Sequence, residues 1–355
     1  MKRRLAVRST NPSALFDMIR CEILPKEESM TRLFKVAGLL LAVTFTLSFA
    51  QSSLSIATGG TGGVYYPTGG AYAEVINNYV DGYSAVAEVT GASVENVGLI
   101  SRGDSDIALA LADTVYQAYT GTGRFGPEGE LPQLSNLRAL GSAYPNAIHL
   151  VTLEGSGITS LADLAGKRVS MGAPGSGTEL SAAAILGANG LTYDDIDEQF
   201  LNFNETADAL RDGQVDAGFW SVGPPTSSIL SLAETRDINI IGFSEDELNN
   251  ALAVNDVFTA YTLPGGTYGG QDEDVVTIGT PNVIVVAEEM DADLAYAIVS
   301  AIYTNIADVI AVHPSANNTT PEFSLAATPI PLHEGALRYY QEQGFDIPDG
   351  LMMGN

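Results

Sequence analysis

Two glycine-rich loops in this sequence have the residue types that could bind a small anion. The first, residues 58–63, contains four glycines and lies between a short apolar strand predicted over 54–57 and a helix predicted over 68–80. Such a loop places free backbone N–H groups and the positive end of a helix dipole at one point. We expect its glycines to adopt positive φ angles and to let a ligand reach the main chain. A tight turn that binds nothing is the alternative.

The first loop does not match a nucleotide fingerprint. A G-x-G-x-x-G motif that begins at Gly60 requires glycine at position 65, where Tyr65 stands. Hydroxyl and aromatic side chains surround the glycines without a nearby Lys or Arg; they are Thr58, Thr61, Tyr65, Tyr66 and Tyr72. This set suits a small organic solute, bound by main chain and hydroxyl groups, better than a polyphosphate.

The second loop, residues 172–179, precedes a helix predicted over 180–189. It nearly matches the phosphate loop G-x-x-x-x-G-K-[ST], but Thr178 and Glu179 occupy the Lys and Ser/Thr positions. Without the lysine no positive charge faces the β- and γ-phosphates, so the sequence argues against a nucleotide site. A helix start that receives a carboxylate remains consistent with the pattern.

Further candidate ligand-binding residues lie at the ends of predicted strands, where open α/β sheets bind their ligands. Ser93 follows a strand predicted over 85–90, and we expect it to cap a helix over 94–102 with or without a ligand contact. The others are Asp113, Thr114, Trp220, Gly223 and Pro225. Asp113, if it lines a cleft, would favour a ligand amino group and so an amino acid over a keto acid. Trp220 could stack on the ligand or pack inside the protein.

Strands and helices alternate along the chain, which is typical of parallel β/α units. Residues 99–108 and 209–218 share one layout: a helix ends at Arg, a glycine follows, and an Asp introduces an apolar strand. Two copies about 110 residues apart predict two similar lobes that face a shared cleft.

The predicted lobes are joined by crossing strands. Short strands over 137–140 and 148–153 could carry the chain out of the first lobe, and strands over 275–279 and 283–287 could carry it back. We therefore predict that lobe I comprises residues 51–141 and 277–355 and that lobe II comprises residues 142–276. The fold class is a two-lobed α/β protein, each lobe a sheet flanked by helices.

The first 50 residues have the pattern of an export signal. Arg32 and Lys35 precede an apolar run over 36–47 and the small-residue end Ser48-Phe49-Ala50, so we predict a signal peptide over 30–50 with cleavage before Gln51. An uncleaved membrane anchor is the alternative. Residues 1–29 are interpreted as a disposable leader or an extended start.

The charge of the chain excludes two classes of partner. Residues 1–50 contain 8 of the 16 basic and 4 of the 43 acidic residues, so residues 51–355 contain 8 basic and 39 acidic residues and carry a net charge of −31. A surface this negative repels nucleic acid and anionic lipid. It is typical of a solvated acidic skin in a salty compartment, although a patch that recruits a basic partner is the alternative.

No motif predicts catalysis, a metal site or a cofactor. The single cysteine, Cys21, lies in the leader, and the three histidines, His149, His313 and His333, have no zinc-binding spacing. We expect His333 to cap or pack a helix. The motif G-x-S-x-G is absent, and acidic residues on an acidic surface do not indicate an acid/base pair. A binding protein is favoured over an enzyme.

Five ordered motifs resemble the TAXI family of solute receptors of TRAP transporters. They are IATGGTGGVYYP from Ile56, GASVEN from Gly91, APGSGT from Ala173, GQDEDV from Gly270 and PLHEGALRYY from Pro331, in which Glu334 replaces an expected proline. The resemblance spans residues 54 to about 344. It implies a type II periplasmic binding fold and delivery of the solute to a sodium-coupled membrane permease. We separately predict a periplasmic location and a monomer.

The family resemblance also implies a ligand class and a site. Members bind small carboxylates such as glutamate or 2-oxoglutarate, and closure of the lobes around the solute would be the mechanism. By motif match, the ligand would contact Thr58, Gly59, Gly60, Thr61, Gly62, Tyr65 or Tyr66, Ser93, Asp113, Thr114, Ser176, Gly177, Thr178, Gly223 and Pro225. A sensory subunit of a membrane kinase would leave the same sequence pattern, and an enzyme acting on a small acid is a weaker alternative.

Overall fold

A strand, a glycine loop and a helix begin the described part of the chain, which is residues 52–352 of a computed structural model. The strands are β1 (Ser52–Ala57), β2 (Tyr83–Glu88), β3 (Ile107–Leu111), β4 (Leu137–Leu153), β5 (Arg168–Ser170), β6 (Asp197–Gln199), β7 (Ala217–Val222), β8 (Ile238–Ile241), β9 (Thr259–Leu263) and β10 (Val275–Ala287). The predicted signal peptide and leader lie outside the described residues.

The helices of residues 52–352 follow the strands in a β/α alternation. They are α1 (Tyr65–Tyr79), α2 (Ser93–Arg102), α3 (Ala112–Thr120), α4 (Gly177–Ala188), α5 (Phe203–Arg211), α6 (Ser227–Ala233), α7 (Glu245–Val254), α8 (Ala292–Thr304), α9 (Ile306–Val312), α10 (Pro321–Ala327) and α11 (Glu334–Glu342). No single one of them combines the length and hydrophobicity that a membrane crossing needs; α8 and α9 meet both requirements only together, across a 65° bend.

The sheet consists of two parallel halves joined by two antiparallel strands. The strand order is β2-β1-β3-β10-β4-β7-β5-β6, with β8 paired to β4 and β9 to β10. β1 is parallel to β2 and β3, and β5 is parallel to β6 and β7. We name the part built from β1–β3, α1–α3 and α8–α11 lobe I, and the part built from β5–β9 and α4–α7 lobe II.

β4 and β10 belong to both lobes. The part of β4 from residue 137 to residue 147 pairs with β10, and the part from 147 to 153 pairs with β7 and β8, so Ala147 pairs on both sides. The prediction of two short strands in each segment was wrong, because each segment forms one strand that continues through a proline, Pro145 in β4 and Pro281 in β10. The two prolines lie opposite each other in the β4–β10 ladder. The backbone N–H donors that both prolines lack are therefore missing at one and the same irregular point of the sheet.

The predicted α/β class with two lobes is confirmed. The shared layout of residues 99–108 and 209–218, which suggested the two lobes, forms two similar helix ends. Gly103 and Gly213 follow α2 and α5 in the left-handed conformation, with φ of 72° and 69°, as glycine after a helix commonly does. The described residues 52–352 nevertheless pack as one compact body. The lobe boundaries near residues 141 and 277 therefore stay predictions.

Candidate functional site

The glycines of the first loop make room for lobe II. The expectation of positive φ angles was wrong: none of Gly59, Gly60, Gly62 and Gly63 has one. A Cβ on Gly62 would overlap the side chain of Asn204, and one on Gly63 would lie 3.0 Å from the ring of Phe203. Both contacts come from the start of α5, so these two glycines allow the lobes to approach.

The second loop supplies the corresponding close contact from lobe II. Ser176 caps α4, because its Oγ accepts the N–H of Glu179 at 3.2 Å. A Cβ on Gly177 would lie 2.7 Å from both Ser93 Oγ and Leu111 Cδ1, a separation that real Cβ atoms do not show. The start of α4 therefore packs directly on the starts of α2 and α3.

A backbone contact joins the same two regions. The Gly175 carbonyl accepts the N–H groups of Val94 at 3.1 Å and Glu95 at 3.2 Å. Ala92, with φ 76°, occupies the N-cap position of α2. The prediction that Ser93 caps this helix was wrong, because its Oγ accepts the N–H of Leu111 at 3.0 Å instead.

A cavity lies between the lobes at this junction. Its volume is about 60 Å³, several times the space that one water needs, so it suits a small solute. Its lining comes from both lobes: Gly59, Gly60, Gly63, Val64, Tyr65, Thr90, Gly91, Ala92, Ser93, Leu111, Asn146, Ala173, Ser176, Gly177, Thr178, Asn202, Phe203, Ser221 and Val222.

The structure brings part of the predicted set together around this cavity. The predicted residues that line it are Gly59, Gly60, Tyr65, Ser93, Ser176, Gly177 and Thr178. Those that do not line it are Thr58, Thr61, Gly62, Tyr66, Asp113, Thr114, Trp220, Gly223 and Pro225. Tyr66 is 38% exposed and lies outside the cavity.

Three predicted residues of the first loop bond to protein groups instead. Thr58 is fully buried and donates from Oγ1 to the Glu88 carbonyl at 2.5 Å. Thr61 Oγ1 accepts from the Asn204 side chain at 3.3 Å, and the Gly62 carbonyl accepts from Thr226 Oγ1 at 3.0 Å. The last two bonds cross between the lobes.

Asp113 is buried beside the cavity and does not line it. Its Oδ2 accepts the hydroxyl proton of Ser181 at 2.6 Å, and its Oδ1 accepts the N–H of Thr114 at 2.7 Å. Burial raises the pKa of this carboxyl to about 6. Asp113 would favour a ligand amino group only if it lined the cleft. It does not line the cavity, and its carboxylate is bonded to Ser181 of α4 instead.

Trp220 packs inside the protein, one of the two predicted alternatives. It is fully buried, stacks on Phe203 with ring centroids 6.0 Å apart, and donates from Nε1 to Ser228 Oγ at 3.1 Å. The turn at Gly223 and Pro225 contacts lobe I: His313 Nε2 lies 2.9 Å from the Pro225 carbonyl.

Four cavity residues with side chains suited to ligand contact were missed in the sequence. Asn202 and Phe203 begin α5, and Asn202 forms a capping box with Glu205 that the sequence could have indicated. Asn146 follows Pro145 within β4, and Ser221 lies near the end of β7. Nothing local distinguishes these last two from ordinary strand residues.

A buried polar network connects the cavity to the crossing strands. Tyr65 donates to Asn282 Oδ1 at 2.5 Å, and Asn282 donates to Asn146 Oδ1 at 2.8 Å. Asn146 donates in turn to the Ser221 carbonyl at 2.9 Å. Burial raises the pKa of the Tyr65 phenol well above its usual range, so it remains a donor. Within residues 52–352, Ser221 Oγ is buried without a hydrogen-bond partner.

Among the described residues, no side chain that lines the cavity is charged. Arg102, Arg168 and Arg211 instead pair with nearby carboxylates away from it. Among residues 52–352 no group of three or more His, Cys, Asp or Glu side chains is arranged to hold a metal ion. The groups open to a ligand are hydroxyls, amides and backbone N–H groups.

Comparison with known proteins gives the family. A sequence profile described as the NMT1-like family matches residues 56–344, which is most of the chain. The chain belongs to the NMT1-like family. The matched region includes both glycine loops and every residue that lines the cavity.

Solved structures are similar to this NMT1-like protein at low identity. One from Bordetella bronchiseptica RB50 is 17% identical, covers 83% of this chain and 99% of its own, and has a TM-score of 0.51. An alkanesulfonate-binding protein from Xanthomonas axonopodis pv. citri bound to MOPS is 15% identical, with 82% and 91% covered and a TM-score of 0.43. A periplasmic aliphatic sulphonate binding protein from Escherichia coli is 14% identical, with 82% and 90% covered and a TM-score of 0.41.

Proposed function

We propose that this protein is a periplasmic receptor that captures a small carboxylate and delivers it to a TRAP-type sodium-coupled permease. The observation that carries the proposal is the cavity between the lobes, whose lining combines both glycine loops. The TAXI-like motifs of residues 54–344 support the permease, and the signal-like segment over 30–50 supports the location.

The start of α4 is suited to bind the carboxylate. Ser176 caps only the N–H of Glu179, and the N–H groups of Gly177 and Thr178 donate to no acceptor within residues 52–352. Both residues line the cavity. Backbone N–H groups at a helix start bind anions well, and charge-assisted bonds of this kind contribute about 1.5 to 3 kcal/mol each.

Closure of the lobes would couple binding to delivery. Bonds between the lobes include those from Val94 and Glu95 to Gly175 and that from Ser181 to Asp113. A ligand that bonds to groups of both lobes stabilises this arrangement through its higher affinity for it. The absence of charged lining side chains favours binding over acid/base catalysis.

A titration tests the proposed function. Purified protein is titrated with glutamate, glutamine, 2-oxoacids and C4 dicarboxylates while its Tm is measured, and at least one acid should raise Tm by mass action. Gly177→Ala should weaken that binding at least about tenfold, because its Cβ would contact Ser93 and Leu111.

Gly187→Ala is the matched control, since a Cβ at this position of α4 meets open space. It should leave the affinity unchanged. If no acid raises Tm, the carboxylate class is wrong. Unchanged affinity in Gly177→Ala would remove the start of α4 from the site.

A further inference from the structure

The cavity has no group that could neutralise a ligand ammonium. None of its lining side chains is a carboxylate, and the nearby carboxylates are engaged elsewhere. Asp113 accepts from Ser181, Glu95 accepts the N–H of Gly91 at 2.6 Å, and Glu179 pairs with Arg124 at 2.7 Å. An ammonium enclosed here would lose its hydration without gaining a counter-charge, which is unfavourable.

The cavity also lacks a cation for a second carboxylate, and much of its wall is apolar. Val64, Leu111, Phe203 and Val222 line it alongside the polar groups. A single carboxylate can bond to the free N–H groups of Gly177 and Thr178, whereas a second one would face apolar carbon. The lining therefore matches one anionic end and an apolar tail.

Ser221 provides a second, independent indication of a ligand. It is 5% exposed, it lines the cavity, and its Oγ has no hydrogen-bond partner in the part of the chain that the structure describes. Its neighbours in the network, Tyr65, Asn146 and Asn282, all have partners. A buried hydroxyl without a partner is costly, so a ligand oxygen is its natural acceptor.

We propose that the site selects a small apolar monocarboxylate without an ammonium group, of the 2-oxo acid type, and that the Ser221 hydroxyl donates to one of its oxygens. The carboxylate bonds to the N–H groups of Gly177 and Thr178 in lobe II, and the tail packs between Phe203 and Val222 of lobe II and Val64 of lobe I. This inference rests on the proposed function and narrows its ligand class.

Matched ligand pairs test the selectivity. 2-Oxoisocaproate and L-leucine share a carbon skeleton and differ at the second carbon, as do 2-oxoglutarate and L-glutamate. Calorimetric titration should give at least about tenfold tighter binding of 2-oxoisocaproate than of L-leucine, because only the amino acid buries an ammonium. 2-Oxoisocaproate should also bind more tightly than 2-oxoglutarate.

The inference would be overturned if L-leucine bound at least as tightly as 2-oxoisocaproate, or L-glutamate at least as tightly as 2-oxoglutarate. The proposed carboxylate receptor would still stand. Failure of every acid in the wider panel would overturn the proposed function and this inference with it. The two failures are thus distinguishable.

Ser221→Ala tests the assigned hydroxyl, and Thr280→Val is its matched control. Thr280 Oγ1 is likewise buried without a partner among the described residues, but Thr280 does not line the cavity. Both variants should keep or raise the ligand-free Tm, because each removes an unpaired hydroxyl. Only Ser221→Ala should weaken 2-oxoisocaproate binding, by about tenfold.

Equal 2-oxoisocaproate affinity in Ser221→Ala and the wild type would overturn the assignment. A lower ligand-free Tm in Ser221→Ala would also overturn it, since the hydroxyl would then have a protein partner. The second readout needs no ligand, so it tests Ser221 whichever acid binds.

Discussion

At the scale of single residues, the same residue type serves different purposes in different loops. Gly103 and Gly213 are needed for their left-handed backbone, whereas Gly62 and Gly177 are needed because a side chain would collide with the opposite lobe. The sequence suggests flexibility at all four. The two roles are distinguished only by whether a residue of the opposite lobe lies next to the glycine.

Asp113 gives a pH-dependent prediction at this scale. Its pKa in the folded protein is about 6, above the ordinary value of 3.8, because burial disfavours the charged form. Between about pH 6 and pH 3.8 the Asp113 carboxyl is therefore mostly protonated in the folded state and mostly ionised in the unfolded state. Because the folded state binds this proton more readily, the contribution of Asp113 to the free energy of unfolding increases as pH falls. Between about pH 7.5 and about pH 4.5 the gain is about 2 kcal/mol.

Asp113→Asn cannot titrate and should lack this gain. Urea unfolding of both proteins at the two pH values gives the free energy of unfolding, and the wild-type minus variant difference should increase at the lower pH. Other carboxylates titrate equally in both proteins and cancel. A difference that is flat with pH, or that decreases on acidification, would contradict the burial-raised pKa.

At the scale of elements, the joining strands decide how the two lobes meet. β4 and β10 run unbroken past Pro145 and Pro281, and their middle residues Asn146 and Asn282 belong to the network behind the cavity. The strands that connect the lobes therefore also position residues of the site. A change in the angle between lobes would alter the position of these amides relative to both glycine loops.

An ion pair between elements of the two lobes gives the next prediction. Arg124, in the loop after α3, pairs with Glu179 of α4 at 2.7 Å, and Tyr193 donates to the same carboxylate at 3.0 Å. The arginine is 37% exposed, so screening keeps its contribution at or below about 1 kcal/mol. Arg124→Ala should weaken binding of the acid that raises Tm about threefold to fivefold.

The charge swap Arg124→Glu with Glu179→Arg should recover part of the affinity that either single change loses, as measured by calorimetric titration. Arg102→Ala is the control, because its pair with Asp104 lies within lobe I and is exposed. An equal loss in both arginine variants would show a general charge effect instead of a contact between the lobes.

At the scale of the whole molecule, the acidic surface sets the response to salt. Residues 51–355 carry a net charge of −31, and self-repulsion of this size destabilises a compact state. Raising KCl from about 0.1 M to about 1 M shortens the screening length from about 10 Å to about 3 Å. The Tm should therefore rise with KCl at neutral pH.

The same salt series near pH 4 is the control, because protonated carboxylates remove most of the repulsion. The increase in Tm should then be much smaller. An equal increase at both pH values would assign the effect to salt exclusion from apolar surface, and a fall in Tm at neutral pH would contradict the repulsion argument.

The sequence by itself determined the elements and the class of the fold. Apolar periodicity and glycine punctuation are local signals, so they predicted the β/α alternation, the two glycine loops and the repeated helix end at Gly103 and Gly213. The low count of basic residues is likewise a property of the sequence. These features do not depend on which segments meet in space.

Only the tertiary structure decided which residues surround the cavity. Ser221, Asn146 and Phe203 line it because separate strands and a helix converge there, whereas Asp113 is withdrawn by its bond to Ser181, 68 positions away. Ligand selectivity depends on which polar atoms remain unpaired after packing. That balance is set by contacts between distant segments, which no local pattern encodes.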